Sequence, residues 1–161
     1  MRKIRQATIQ EAGILADLIQ RANRPVAGMF NINRENTPTH PSFCTGEWIE
    51  QGVDRGETYF ILEKDRFPVG CVACEFPEKS LAYLNRLAVL PEFQNQGMGR
   101  SLVDHIISLA ADQGVKKLSI GIIAGHSTLR KWYEKIGFRV YEKKIFAHLV
   151  FDVLLMEYRI Q

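Results

Sequence analysis

A mixed α/β fold, a sheet flanked by helices, is what this sequence predicts, and three observations carry it. Strand and helix patterns succeed one another in the order β-α-α-β-β-β-α-β-α-β-β. An apolar strand, Leu87-Ala88-Val89-Leu90, runs through a short turn into the glycine-spaced loop Gln94-Asn95-Gln96-Gly97-Met98-Gly99 and then an amphipathic helix. No internal repeat, low-complexity tract or linker interrupts the chain, so residues 1–161 are read as a single domain.

The elements follow in order. Lys3 to Ala7 reads as a short strand, and Thr8 opens a helix with Glu11 three residues later, a capping box. That helix puts Ile14, Leu15, Leu18 and Ile19 on one face. Asn23 to Pro41, with Pro25, Gly28, Pro38 and Pro41, reads as a long polar connection interrupted by Met29, Phe30 and Ile32. Connections of that length in a compact domain are expected to line a binding site or move over one. Ser42 is expected to cap a second helix ending near Gly56. Strands are expected at Thr58 to Glu63, Val69 to Phe76 and Ala82 to Val89, with turns at Lys64-Asp65-Arg66 and Pro77-Glu78-Lys79. A helix from Gly97 to Gln113 and a strand from Val115 to Ile123 come next. His126 to Ile136 forms a helix with Leu129, Trp132, Tyr133 and Ile136 at helical spacing, stopped by Gly137. Strands at Phe138 to Lys144 and Leu149 to Tyr158 finish the chain.

The loop before the third helix is built to hold an anion. Gly97 and Gly99 remove side chains where a backbone must approach closely, and the free N–H groups of the helix start point into that space. No Ser, Thr or Asp stands after Gly97 as an ordinary cap, so an anion could serve those donors. A phosphate-binding Gly-x-x-x-x-Gly-Lys loop and a dinucleotide Gly-x-Gly-x-x-Gly loop are both excluded, because neither the Lys nor the third glycine is present.

Gln94-Asn95-Gln96-Gly97-Met98-Gly99 resembles the (Gln/Arg)-x-x-Gly-x-(Gly/Ala) signature of the GNAT superfamily of acyl-CoA-dependent N-acyltransferases. His126-Ser127-Thr128-Leu129-Arg130-Lys131-Trp132-Tyr133-Glu134-Lys135-Ile136-Gly137-Phe138 resembles that family's Asn-x-x-Ala-x-x-Leu-Tyr-x-x-x-Gly-Phe motif, with Tyr133 and Gly137-Phe138 matching. It departs at His126, where the family often has Asn, and at Leu129, where it often has Ala. The resemblance covers residues 83 to 141, and the rest agrees in element order. It implies a twisted mixed sheet whose central strands, Ala82 to Val89 and Val115 to Ile123, splay apart to admit coenzyme A.

The resemblance also implies an activity: transfer of an acetyl group from acetyl-CoA to a primary amine of a small molecule or protein. It places pantetheine along Leu87, Ala88 and Val89, and pyrophosphate on Gln94, Asn95, Gln96, Gly97, Met98, Gly99 and Arg100, with His126 and Leu129 on the channel wall. Such a reaction needs a base for the amine, fixed donors for the developing oxyanion and an acid for the departing thiolate. Tyr133 is implied as the acid, and His126 is a second catalytic candidate. In the histone acetyltransferase branch a glutamate stands six residues before the end of the splayed strand, and Tyr83 occupies that place here. Glu75, Glu78, His40, His126, His148 or a water relay would then have to supply the base. Tyr83, His40 on the long connection and His148 near the last hairpin are expected at the acceptor. The missing glutamate also leaves room for an alternative, a non-catalytic acyl-CoA-binding sensor or partner-interaction module.

Composition bounds the rest. With 46% apolar residues the chain can bury a core without disulfide or metal, and a net charge of +3 is too small and scattered to argue for nucleic acid. Cys44, Cys71 and Cys74 are an odd set, unlike a secreted disulfide framework. Cys71-x-x-Cys74 falls on a strand, where residues three apart face opposite sides, so no metal site is expected there. Met1-Arg2-Lys3-Ile4-Arg5-Gln6 leads straight into structure, and no apolar run is long enough for a membrane. A cytoplasmic protein, without membrane or nucleic-acid partner and compatible with a homodimer, is the expectation.

Overall fold

The computed structural model describes residues 1–161. Seven strands form one sheet: β1 (Arg2–Gln6), β2 (Thr58–Lys64), β3 (Phe67–Glu78), β4 (Leu81–Val89), β5 (Lys117–Ile123), β6 (Arg139–Lys144) and β7 (Val153–Arg159). Helices α1 (Ala12–Met29), α2 (Gly46–Asp54), α3 (Met98–Asp112) and α4 (Ser127–Ile136) flank it. The spatial order is β1-β2-β3-β4-β5-β7-β6, antiparallel throughout except between β4 and β5. This is the mixed sheet and element order expected above.

Strand alternation divides the core between the two faces. Cys71 and Ala73 of β3 join Tyr59, Ile61, Leu15, Ile19 and Ile49 under α1 and α2. Val72 and Cys74 join Leu102, Ile106, Leu118 and Met156 under α3. The two thiols therefore face away from each other, and burial pushes both up to about 12. No helix is long and apolar enough to cross a membrane.

Two features of β4 shape the site. It pairs with β5 only through Leu81, Ala82 and Tyr83 against Lys117, Leu118 and Ser119, after which the parallel strands part. On its other edge, Cys71 pairs with Ala88 and Ala73 with Asn85, so Arg86 and Leu87 together stand opposite Val72. This is a β-bulge, and Arg86 within it takes a left-handed backbone, φ 55°. The bulge resets the alternation: Leu84 and Val89 face α3, while Ala88 faces α1.

The structure corrects four boundaries. The first helix does not stop at Asn23 but runs to Met29 with Pro25 inside it. An interior proline costs about 3 kcal/mol through its missing N–H and its ring. Beyond the proline the last turn is still closed, the Phe30 N–H bonding to the Val26 carbonyl at 3.1 Å, and Val26 and Ala27 are half-buried. The connection that remains is ordered by side chains: Asn33 Oδ1 accepts from the backbone N–H of Glu35 and Asn36, both at 2.9 Å. The second helix is capped by Thr45, whose Oγ1 accepts from the Trp48 N–H at 3.4 Å, whereas Ser42 lies in a short 3-10 turn, Pro41–Phe43. β3 continues through Pro77 to Glu78 because an irregular register between Glu75 and Glu78 spares the proline a ladder bond. The last strand begins at Val153 instead of Leu149.

Candidate active site

The C-terminal ends of two parallel strands diverge here, and the crevice beyond them is where α/β sheets bind ligands. β4 leads into the loop that opens α3, and β5 leads into α4. Gly97 is the N-cap of α3 at φ 83°, with no side chain capping the helix. A carbon added there would stand 3.6 Å from Arg2 Nη1, and Arg2 Nη2 donates to the Gln96 carbonyl at 2.5 Å. A left-handed glycine, uncapped N–H groups, the helix dipole and a guanidinium thus converge on an exposed loop. Gln94 Nε2 donates to the Val89 carbonyl at 3.0 Å and ties that loop to the end of β4. A Cβ on Gly99 would meet the Trp132 ring at 3.3 Å, so the second glycine lets α3 and α4 approach. Among the expected loop residues, Met98 turns its side chain into the core and Arg100 pairs with Asp104 at 3.0 Å.

A cavity of about 500 Å³ passes through the fork. On the α3 and α4 side its wall is apolar, with Leu84, Leu87, Ile120, Ile122, Leu129 and Tyr133. On the α1 and α2 side it is polar, with Asn23, His40, Arg55, Glu57, Asn85 and Arg86. Glu75 lines it as well.

Tyr133 is 4% exposed and packs edge-on against Trp132 and Phe138, with ring centroids 4.9 and 5.2 Å away. Its hydroxyl has no protein partner, yet no buried side-chain polar atom is left unsatisfied, so it opens to the cavity. Burial raises its pKa, and it keeps its proton at neutral pH. His126 caps α4: its Nδ1 accepts from the Leu129 N–H at 3.3 Å, and Phe30 packs against its ring at 5.7 Å. Burial lowers its pKa, so the neutral ring carries its proton on Nε2 and presents a donor. His40 is buried on the cavity wall, its Nδ1 bonded to the Ser42 N–H at 3.2 Å and the Ser42 hydroxyl at 2.8 Å. Burial first, then Arg86, lowers its pKa.

Tyr83 and His148 do not line the cavity. Tyr83 is half-buried at the closed end of the fork, between Glu75 and Ser119. His148 lies on the exposed stretch between β6 and β7, stacked on Phe146 with centroids 5.5 Å apart.

Among the wall residues that escaped the sequence reading, three matter most for the chemistry. Glu57 is only 5% exposed and accepts from the Tyr59 hydroxyl at 3.1 Å and Asn85 Nδ2 at 2.9 Å, with Arg55 Nη2 at 3.6 Å. Its trace in the sequence is a charge in phase with the core residues Tyr59 and Ile61. Asn85 is in phase with Tyr83 on a half-polar strand and carries no stronger signal. Arg86 carries none, because the bulge that aims it breaks the alternation.

Comparisons with known proteins agree with this geometry. The family described as "Acetyltransferase (GNAT) family" matches residues 26–138. An uncharacterized N-acetyltransferase of Chlorobaculum tepidum is 27% identical over 103 residues, 63% of each chain. The amino-acid acetyltransferase of Vibrio cholerae is 29% identical over 137 residues, 84% of this chain but 26% of that protein. The chain thus spans less than two thirds of these relatives. Its fold matches the ribosomal-protein-S18-alanine N-acetyltransferase of Escherichia coli with a TM-score of 0.80 at 19% identity, over 100% of this chain and 95% of that one. A GNAT family acetyltransferase of Elizabethkingia anophelis, solved with acetyl-CoA bound, matches at 0.73 and 20%, over 98% and 97%. Matched by the family over most of its length, and carrying the family's forked sheet and glycine loop, this chain belongs to the acetyltransferase (GNAT) family.

Proposed function

We propose that this protein is an N-acetyltransferase that uses acetyl-CoA to acetylate a primary amine. The observation that carries the reading is the fork between β4 and β5, crossed by a cavity that is apolar on one side and polar on the other. The residues present fit the coenzyme: the uncapped left-handed Gly97, the N–H groups of Met98, Gly99 and Arg100, and Arg2 suit a pyrophosphate, and the edge of Leu87, Ala88 and Val89 that β5 leaves uncovered, where Gln94 holds only the Val89 carbonyl, suits a pantetheine amide. When bound, acetyl-CoA supplies a thioester as electrophile and a thiol as leaving group. The names of the Vibrio cholerae and Escherichia coli relatives, an amino-acid and a ribosomal-protein acetyltransferase, support an amine acceptor.

The chain's own groups divide the proton work. Glu57, held in place by Tyr59 and Asn85, takes a proton from the acceptor nitrogen on the polar side. Tyr133 holds a proton at Oη on the apolar side, available to a departing sulfur. His126 keeps α4 capped and directs Nε2–H at the channel, a positioning role, because its basic nitrogen is already taken by Leu129. The backbone around the Arg86-Leu87 bulge, unpaired on the β5 side, supplies N–H donors for the carbonyl oxygen. The alternative of a non-catalytic sensor rests on the missing carboxylate at Tyr83, and in this reading Glu57 supplies a carboxylate from the connection just before β2. Three buried free thiols, Cys44, Cys71 and Cys74, suit a reducing compartment such as the cytoplasm.

Release of coenzyme thiol from acetyl-CoA, measured against a panel of amines, tests the reading. Amine-dependent release is expected; tight coenzyme binding without release by any amine would favour the sensor.

A further inference from the structure

The polar side of the cavity carries four charged side chains, Arg55, Glu57, Glu75 and Arg86. Two of them pair with each other, Arg55 with Glu57 at 3.6 Å. Arg86 and Glu75 make no ion pair with any residue, nor with each other. Arg86 is half-buried, and its guanidinium lies 5.7 Å from the centre of the Trp48 ring with no hydrogen bond to the protein. Its nitrogens are not sealed in, since every buried side-chain polar atom has a partner, so they face the open cavity. Its backbone is left-handed, φ 55°, a strain that proteins retain where it aims a side chain.

A partly desolvated guanidinium without a partner is costly to the free protein and is a fork-shaped donor for a carboxylate. Glu75 is on β3, opposite Tyr83, and the alternation of Cys71, Ala73 and Glu75 sets it on the same sheet face as Asn85. One free cation and one free anion on one wall mirror a zwitterion. We propose that the polar half of the cavity is a carboxylate-binding subsite, in which Arg86 holds the carboxylate of an amino acid acceptor and Glu75 faces its ammonium group. This rests on the acetyltransfer reading for its consequence in catalysis, but not for the binding itself.

The test compares free L-amino acids with their C-terminal amides, which keep the amine and lose the negative charge. In thermal-shift titrations of the coenzyme-free protein, at least one acid should bind about tenfold or more tighter than its amide, the worth of a single charged hydrogen bond. Arg86→Gln should abolish that preference, and Arg86→Lys should restore part of it. In acetyl-CoA turnover the same acid-to-amide ratio should appear in kcat/KM and collapse in Arg86→Gln, mainly through KM. Equal binding of every acid and amide, no binding of any, or an unchanged preference in Arg86→Gln would overturn the subsite. Acid-selective binding without turnover would sink the acetyltransferase reading alone, and turnover of amides at the rate of acids would sink the subsite alone.

Discussion

A Cβ on Gly52 would stand 2.0 Å from Glu57 Oε1 and 3.3 Å from the Tyr59 hydroxyl, so the carboxylate occupies space that only glycine leaves free. Gly52→Ala should therefore swing Glu57 out of the cavity and lower turnover by about tenfold or more, with acetyl-CoA affinity kept. Glu57→Gln keeps the shape and removes the basic oxygen; kcat should fall by roughly 10²- to 10⁴-fold. Steady-state kinetics beside calorimetric titration with acetyl-CoA reads both, and wild-type turnover in Glu57→Gln would exclude it as base. For Tyr133→Phe the ring stays wedged between Trp132 and Phe138 while the hydroxyl is lost. A fall in kcat of about 10²-fold with unchanged melting temperature marks a proton donor. Unchanged turnover would mark a packing residue.

At the scale of the element, the loop between β4 and α3 is the most legible unit. Its chemistry is local: glycine at a left-handed position, donors at a helix start and no side chain competing for them. Gly97→Asp adds a side chain where φ is 83° and a negative charge where phosphate would approach. Acetyl-CoA affinity should drop by more than about tenfold while circular dichroism stays that of a folded protein, and retained affinity would move the phosphate elsewhere. α4 was equally legible, with Gly137 at φ 125° ending it where the sequence placed the stop. α1 was not. Pro25 reads locally as a breaker, and the turn that continues past it, half-burying Val26 on the cavity wall, is set by tertiary contacts.

Over the whole molecule, three histidines are held below the ordinary value near 6.5 by burial: His40, His105 and His126. The unfolded chain binds protons at them more readily than the folded one, so stability must fall as pH drops through about 6.5 toward their folded values. Glu11 acts lower on the scale. The hydrogen bond from Arg5, at 2.7 Å, holds it at about 2 against an ordinary 4.5, so its contribution is complete above about 4.5 and lost as pH falls toward 2. Melting temperature should thus decline in two stages, from pH 6.5 downward and again below 4.5. A flat profile between pH 7 and 5 would show that the histidines protonate in the fold without cost.

What the sequence determined by itself was everything set by short-range geometry. Periodicity gave the number, type and order of the strands and helices, the spacing of Gly97 and Gly99 singled out the uncapped loop before α3, and the odd separation of Cys71 and Cys74 on β3 put them on opposite faces. Tertiary structure decided what depends on partners distant in the chain. Glu57 reaches the cavity because β2 lies two strands from the fork and Asn85, 28 residues on, donates to it. Arg86 points there because one extra residue in β4 turns the backbone over, a choice made by pairing with β3 and invisible to any periodic pattern. His148, expected at the acceptor by order of elements, does not line the cavity, because the path of a connection over the surface is set by packing and not by its place between two strands.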